Sequence, residues 1–356
     1  MTTAQATAYF DTTALVEPID RRAVRRYGRS PRGGDRLYSG CGTVVAVAVV
    51  APFVLAFVGF GIALVVFLAT AVGPRAAVPI GVMLGLWALV MTAVVALAVR
   101  QTGTDNERAY RLRRFAEANG LEYQWTTGVA DRPGMIFPRV RTGYARDVLV
   151  GDGEFPIEVG NVRCNRRGRL WRTQRWGYLA LRLQTPLPHI VLDAVGNNSL
   201  GVSSLPVGLH AGQRLSLEGD FDRVFRLYCP AGYERDALYL FTPDIMARLM
   251  DTAAELDVEI IDDRMYFYRR SDLATLDPAT WEWLGSVQAA MTGKLAQWER
   301  WRDGHAQGQS DSGIPLLHPP RGVAEPGQRL RRTLPWATIA LAAASIVTVF
   351  QVLGAA

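Results

Sequence analysis

Three long runs without a charged residue constrain the fold of this chain more than any other feature of its sequence. The runs cover Leu37–Pro74, Ala76–Val99 and Thr333–Ala356. An α-helix needs about 20 consecutive apolar residues to cross about 30 Å of hydrocarbon, and each run exceeds that length. The sequence therefore predicts three transmembrane helices. They are placed at residues 42–72, 76–99 and 334–354.

Arginine placement predicts how these helices are oriented. The basic N-terminal tail, residues 1–40, holds seven arginines, whereas the turn between the first two runs holds only Arg75. Positive charge beside membrane-spanning helices stays on the cytoplasmic side, so we expect a multi-pass protein of the cell (plasma) membrane. Its tail and central domain would then be cytoplasmic and its C-terminus extracytoplasmic.

The predicted helices offer no route for transport. None contains an ionisable side chain, and transport needs polar groups that face a path through the lipid. Gly81 and Gly85 have the small-xxx-small spacing that allows close contact between helices. Such a contact could be made with a protein partner or in a homo-oligomer. The positive charge comes almost wholly from arginine, since Lys294 is the only lysine, and this bias indicates a GC-rich bacterial genome.

The central region, residues 101–304, has the pattern of a folded α+β domain. Its first helix is predicted to begin at a capping box of Thr104 and Glu107 and to end at Gly120. Short runs of alternating apolar and polar residues follow, with a predicted hairpin turn at residues 262–263. Strands are predicted at residues 155–162, 177–184, 189–195, 214–219, 224–228, 237–241, 258–261 and 265–268. Their short connections favour a largely antiparallel sheet with about three helices over one face.

Two further helices and a linker complete the predicted organisation. Thr242 caps one helix, and the last helix begins at the Asp277 cap and ends at Gly304. Residues 305–333 are rich in proline, glycine and glutamine without periodicity, which predicts a flexible linker to the third transmembrane helix.

Four stretches of this domain carry a resemblance to a known family. They are "RLRRFAEANGL", "RWGYLALRLQTPLPHIVLDAVGNNS", "QRLSLEGDFDRVFRLYCPAGYERDALYLFTPDIMARLMD" and "VEIIDDRMYFY", within residues 111–268. The chain resembles a family of uncharacterised actinobacterial integral membrane proteins, a domain of unknown function with an N-terminal transmembrane pair and a cytosolic domain. The resemblance implies this topology and fold, and it implies no catalytic residue.

The hydrolase interpretation rests on His189, Asp193, Ser199 and His210, which lie within 22 residues of one another. A serine nucleophile needs a base within hydrogen-bond reach and a third group that orients the base. The Gly-x-Ser-x-Gly pattern fails, because Asn197 stands two positions before Ser199. We therefore assign no catalytic residue, and an enzyme remains the alternative.

No metal or cofactor site is predicted either. The four histidines are far apart, and the chain has no CxxC, HExxH or glycine-rich phosphate loop outside the apolar runs. Cys41, Cys164 and Cys229 have no paired spacing, so no disulfide is expected. Two acidic groups are interpreted as solvated strand ends and turns. They are Glu218, Asp220 and Asp222, and Asp257, Glu259, Asp262 and Asp263.

The strongest functional feature is the arginine-rich stretch "RCNRRGRLWRTQRWGY", between two predicted strands. Arginines interleaved with aromatic anchors suit an anionic membrane surface, at about 1 kcal/mol for each basic residue near the lipid. They suit nucleic acid less, because lipid is the nearest polyanion of a membrane-tethered domain, and a solvated hairpin loop is the competing interpretation. The residues predicted to contact lipid or a partner are Arg163, Arg166, Arg167, Arg169, Arg172, Trp171 and Trp176.

Together these patterns predict an integral membrane protein whose α+β domain is a scaffold or regulatory binding module at the inner membrane surface. The alternative is a membrane-tethered, hydrolase-like enzyme that uses Ser199, His189 and Asp193.

Overall fold

The computed structural model describes eleven stretches of the chain. They are residues 10–29, 56, 59–67, 69–71, 73–137, 143–153, 156–165, 173–198, 203–217, 219–307 and 329–333. The chain divides into two compact units. The helical unit is Glu17–Arg114, and the sheet unit combines Met1–Val16 with Phe115–Ala356.

The helical unit contains α2, Arg21–Arg29, and most of α3, Pro74–Ala118. Thr104 does not cap a new helix, because its hydroxyl donates to the carbonyl of Arg100 one turn earlier and α3 continues through it. Arg111 donates to the backbone oxygen of Glu17 at 2.8 Å, which ties α3 to the segment that precedes α2. Gly120, with φ of +65°, follows the end of α3, as predicted.

Among the described residues, no helix is long and apolar enough to cross a membrane. This finding contradicts the predicted fold class in its membrane part, and with it the multi-pass location in the plasma membrane. The second predicted span, 76–99, is not a separate helix, because it is the first half of α3 and the second half carries charged side chains. Most of the first predicted span, 42–72, and all of the third, 334–354, lie outside the described residues.

A seven-stranded sheet forms the framework of the sheet unit. Its order is β1-β2-β3-β4-β7-β6, with β8 also paired to β4, and every pairing is antiparallel. A separate two-stranded sheet joins β5 to β9. The strands are β1 Glu122–Gly128, β2 Gly143–Gly151, β3 Ile157–Asn165, β4 Thr173–Ala194, β5 Gly208–Leu209, β6 Arg214–Leu215, β7 Phe225–Tyr228, β8 Asp257–Arg269 and β9 Arg332–Thr333. The helices are α1 Thr13–Val16, α4 Phe221–Val224, α5 Glu234–Leu240, α6 Pro243–Thr252 and α7 Pro278–Gln307.

The central strand β4 merges two predicted strands into one of 22 residues. Pro186 and Pro188 lie in its middle, where the pairing with β8 is irregular on both sides of Leu187. Proline has no N–H to donate, so the ladder is interrupted there without the chain reversing. Asp262, opposite Leu187, adopts φ of +57° within a continuous β8. The predicted hairpin at residues 262–263 is therefore wrong.

Residues on both faces of β4 are buried at 176–181 and 189–194. Trp176 and Tyr178 belong to a core cluster on one face, which also contains Met135, Ile136 and Phe137 from the segment between β1 and β2. On the opposite face, Leu179 and Leu181 are buried, and α7 contacts β4. The aromatic and polar groups discussed below lie on the first face, which we call the covered face.

The predicted strand at 237–241 and the predicted last helix have different outcomes in the structure. The predicted strand at 237–241 is wrong, because these residues lie in and directly after helix α5. The start of α7 is confirmed, since the Asp277 carboxylate accepts from the backbone N–H groups of Ala279 and Thr280. The helix extends to Gln307, three residues beyond the predicted end.

Candidate functional site

The structure does not assemble the hydrolase triad in its described part. His189 and Asp193 lie four residues apart on β4, which corresponds to about 13 Å along a strand. His210 is on a separate turn, where its Nδ1 accepts from the N–H of Gly212 at 3.2 Å. Ser199 lies outside the described residues.

His189 and Glu259 form a buried pair on the covered face. His189 Nε2 lies 3.0 Å from Glu259 Oε1, and the side chains are 4% and 0% exposed. The N–H of Leu330 donates to His189 Nδ1 at 3.4 Å, so the neutral ring carries its proton on Nε2 and donates to Glu259. The other oxygen of Glu259 accepts from the N–H of Met135 at 2.7 Å. Both ring nitrogens are therefore engaged inside the protein, and neither is available to a nucleophile.

The carboxylate of Asp257 accepts hydrogen bonds from the end of β4 and from the segment that follows it. Its carboxylate accepts from the N–H of Ala194 at 2.9 Å, from the Asn197 amide at 2.8 Å and from the Ser204 hydroxyl at 2.7 Å. Burial raises the pKa of Asp257 to about 7, and the nearby charge of Asp193 adds to this shift against the lowering by the three donors. A carboxyl group that changes charge near neutral pH thus sits at the centre of this network.

Asp193 lies beside this network with no hydrogen-bond partner among the described residues, although it is fully buried. Arg226 Nη1 is 3.8 Å from one of its oxygens, which is an ion pair without a hydrogen bond. Burial raises the pKa of Asp193, while the side chains of Ser203 and Asn198 lie close enough to lower it without meeting hydrogen-bond geometry. Burial of Asp193 therefore opposes its negative charge, and Arg226 and the two polar side chains partly offset that effect.

A second polar group lies further along the covered face. The Tyr178 hydroxyl donates to Glu158, and Arg132 Nη2 pairs with the same carboxylate at 2.6 Å. A Cβ at Gly160 would lie 2.9 Å from the Tyr178 hydroxyl, so glycine leaves the room this contact needs. Burial, followed by the charge of Glu158, raises the pKa of Tyr178 well above its usual range. The neutral Tyr178 hydroxyl is therefore the favoured form, and it donates to Glu158.

The acidic groups do not all match their interpretation as solvated turns. Asp257 and Glu259 are fully buried, so for these two the interpretation is wrong. The signal was present in "DVEII", where the acids alternate with apolar residues and so share one face of a strand. Asp220 is exposed, Asp222 accepts from the N–H of Leu217 at 3.1 Å, and Glu218 lies outside the described residues.

Two of the residues predicted to contact lipid or a partner are described. Arg163 on β3 donates through Nη2 to both oxygens of Asp272, at 2.7 and 2.6 Å. Trp176 is 1% exposed, packs edge-on against Tyr268 and carries the Arg270 guanidinium over its ring at 5.0 Å. Both side chains are therefore engaged inside the sheet unit. Arg166, Arg167, Arg169, Trp171 and Arg172 lie outside the described residues, and contact with lipid stays a prediction.

The described residues contain no group of three or more histidine, cysteine, aspartate or glutamate side chains that could hold a metal ion. Cys229 is buried, and burial followed by the charge of Glu234 raises its pKa to about 11. Cys229 therefore packs as a small side chain in the core of the sheet unit. Cys41 lies outside the described residues.

Comparison with protein-family models finds no matching family, and comparison with curated proteins finds no match. Among solved structures, the chain is similar to the one described as the "crystal structure of the mycobacterial trehalose monomycolate transport factor A, TtfA". The two share 12% sequence identity over 51% of this chain and 94% of that chain, with a TM-score of 0.33. A similarity at this level does not establish a common fold or function.

Proposed function

We propose that the sheet unit is a non-catalytic binding module that contacts anionic phospholipid headgroups through the connection between β3 and β4. This connection, residues 166–172, reads "RRGRLWR" and contains four arginines in seven residues. Arginine side chains bind phosphate through paired N–H donors, and clustered basic residues bind anionic lipid additively.

One observation carries the proposal. The register of β3 and β4 continues to the pair Asn165 and Thr173, so the seven residues join two hydrogen-bonded strands at the end of a hairpin. Arg163 and Trp176 fix the two strands near that end through Asp272 and Tyr268. The hairpin therefore confines four positive charges to one short connection.

The alternative hydrolase is disfavoured by the chemistry of His189. A general base must accept a proton on a nitrogen that faces the nucleophile. Here Nε2 bonds Glu259 and Nδ1 accepts from the N–H of Leu330 in a buried position. Removing a proton from serine would require breaking one of these bonds first.

Vesicle flotation of the full-length purified protein tests the proposal. We expect flotation with phosphatidylglycerol vesicles, little with phosphatidylcholine vesicles, and loss of binding in the triple variant Arg166→Ala, Arg167→Ala, Arg169→Ala. The control triple variant Arg214→Ala, Arg223→Ala, Arg248→Ala removes the same charge from exposed positions elsewhere in the sheet unit. Equal loss in both triple variants, or flotation unaffected by either, would refute the proposal.

A further inference from the structure

A short segment that lies late in the sequence packs against the covered face. The segment Arg329–Thr333, which we call the strap, follows residues 308–328, which lie outside the described part of the chain. Its sequence is Arg-Leu-Arg-Arg-Thr. Leu330 is 5% exposed and belongs to the same core cluster as Trp176 and Tyr266. One apolar side chain thus enters the core of the sheet unit from this distant segment.

Backbone hydrogen bonds hold the strap in an extended conformation. Gly208 and Leu209 of β5 pair with Thr333 and Arg332, and the N–H of His210 donates to the Arg331 carbonyl at 3.2 Å. Among the described strands, β5 pairs only with the strap, so the strap supplies the backbone partner that an added peptide strand supplies in peptide-binding domains. The strap therefore occupies a surface that has the form of a peptide-binding site.

Side chains from β4, from β8 and from the turn before β6 contact the strap at further positions. Asp262 pairs with Arg329 at 2.5 Å, His189 Nδ1 accepts from the N–H of Leu330, and the Gln213 side-chain oxygen accepts from the N–H of Arg331 at 2.9 Å. The ion pair selects a basic residue directly before the apolar anchor. The side-chain acceptors fix the register of the backbone.

The conformation of Asp262 matches this role. Its φ of +57° lies in the left-handed region, which costs energy for a residue with a Cβ and is tolerated best by glycine, asparagine and aspartate. The bulge it forms lies where β4 and β8 lose regular pairing, and it places the carboxylate within reach of Arg329. The strained position thus carries the charge that recognises the strap.

From these contacts we propose that β5, His189, Gln213 and Asp262 form a strand-addition site for an extended basic peptide of pattern Arg-hydrophobic-Arg-Arg. In this chain the site is closed in cis by the strap. Burial of one leucine and pairing with β5 stabilise the bound strap, whereas ordering of its backbone costs conformational entropy. An isolated two-stranded pairing is only marginally stable in water. The strap can therefore release while the seven-stranded sheet stays folded.

Peptide binding to the full-length protein tests this proposal. In the variant Arg329→Ser, Leu330→Ser the cis competitor is weakened, and a fluorescein-labelled peptide of sequence Arg-Leu-Arg-Arg-Thr is titrated by fluorescence anisotropy. Because a tethered segment competes at an effective concentration in the millimolar range, we expect binding at least about tenfold tighter than to the unsubstituted protein. Adding Asp262→Asn, which tolerates the same φ and removes the charge, is expected to weaken binding again. No binding, or binding indifferent to Asp262→Asn, would overturn the proposal.

Hydrogen exchange of the unsubstituted protein decides the question if the strap variant fails to fold. The Leu330 and Arg331 amides are expected to exchange faster than the β4 and β8 amides that pair regularly, because they open with the strap. Exchange as slow as that of the central strands would show that the strap opens only on global unfolding, and would also overturn the proposal.

Discussion

The Ser204 hydroxyl lies 2.7 Å from the buried carboxylate of Asp257, and this contact joins the segment after β4 to the first residue of β8. The same carboxylate accepts from the N–H of Ala194. Both donors come from outside β8, so the Asp257 carboxyl group connects β8 to the end of β4 and to the segment after it. Because its pKa is raised to about 7, the stability of these contacts depends on pH.

Asp257 is expected to make the folded state less stable as pH rises from about 4 to about 7. Its pKa is raised to about 7 in the folded protein, whereas the unfolded chain loses this proton near 3.8, so the folded state binds more protons between those values. Each pKa unit corresponds to about 1.4 kcal/mol, which gives an order of 4 kcal/mol over the window.

Chemical denaturation of Asp257→Asn at several pH values checks this prediction. Relative to the unsubstituted protein, the variant should gain stability as pH rises through the window, since asparagine resembles the protonated acid. Asp193→Asn should give a slope of the same sign, because burial raises the pKa of Asp193 as well. A stability difference that stays constant with pH would contradict the assignment.

Gly177 is expected to tolerate no side chain. It lies on β4, and a Cβ there would overlap the backbone nitrogen of Leu273 and the backbone oxygen of Ser271. Gly177→Ala should lower the free energy of unfolding by about 3 kcal/mol and the melting temperature by roughly 10 °C.

Gly153→Ala is the matched control, because no atom lies within 4 Å of a Cβ at that exposed glycine. We expect a change within about 0.5 kcal/mol for this variant by thermal and chemical denaturation. Equal effects of the two substitutions would show that the segment of residues 271–273 does not pack against β4 as described.

Cys229 is expected to resist alkylation in the folded protein. Burial raises its pKa to about 11, so at pH 8 it has about 100-fold less thiolate than an ordinary cysteine, and access is restricted as well. In a Cys41→Ser, Cys164→Ser variant, iodoacetamide should modify Cys229 rapidly only after denaturant is added. Comparable rates in the folded and unfolded protein would contradict its burial.

The sequence predicted the antiparallel sheet better than its individual strands. Period-2 alternation is independent of tertiary context, so the segments around Leu179 and Leu227 were placed in strands and lie in β4 and β7. The segment at 237–241 is too short for its period to separate strand from helix, and it lies in and directly after helix α5 with Ala237 buried. The predicted strands at 177–184 and 189–195 are one strand, β4, whose ladder with β8 is interrupted around Leu187.

The polar groups of the covered face were harder to predict, because their partners are far apart in sequence. Glu259 receives its backbone donor from Met135, 124 residues earlier, and Leu330 lies 141 residues after His189. Alternation shows which face a side chain occupies, and it does not show what covers that face. For this reason the acids were interpreted as solvated, and the linker gave no sign of the strap.

The most direct test of the proposed function measures contact at the β3–β4 connection itself. A full-length protein with Cys41→Ser, Cys164→Ser, Cys229→Ser and Gly168→Cys, labelled with the polarity-sensitive dye NBD, is mixed with phosphatidylglycerol vesicles. The fluorescence of the dye is expected to rise and shift to the blue with these vesicles, to change little with phosphatidylcholine, and to reverse at high salt. The same dye at Gly153→Cys serves as the control and should not respond. No response at position 168, or an equal response at 153, would contradict the account.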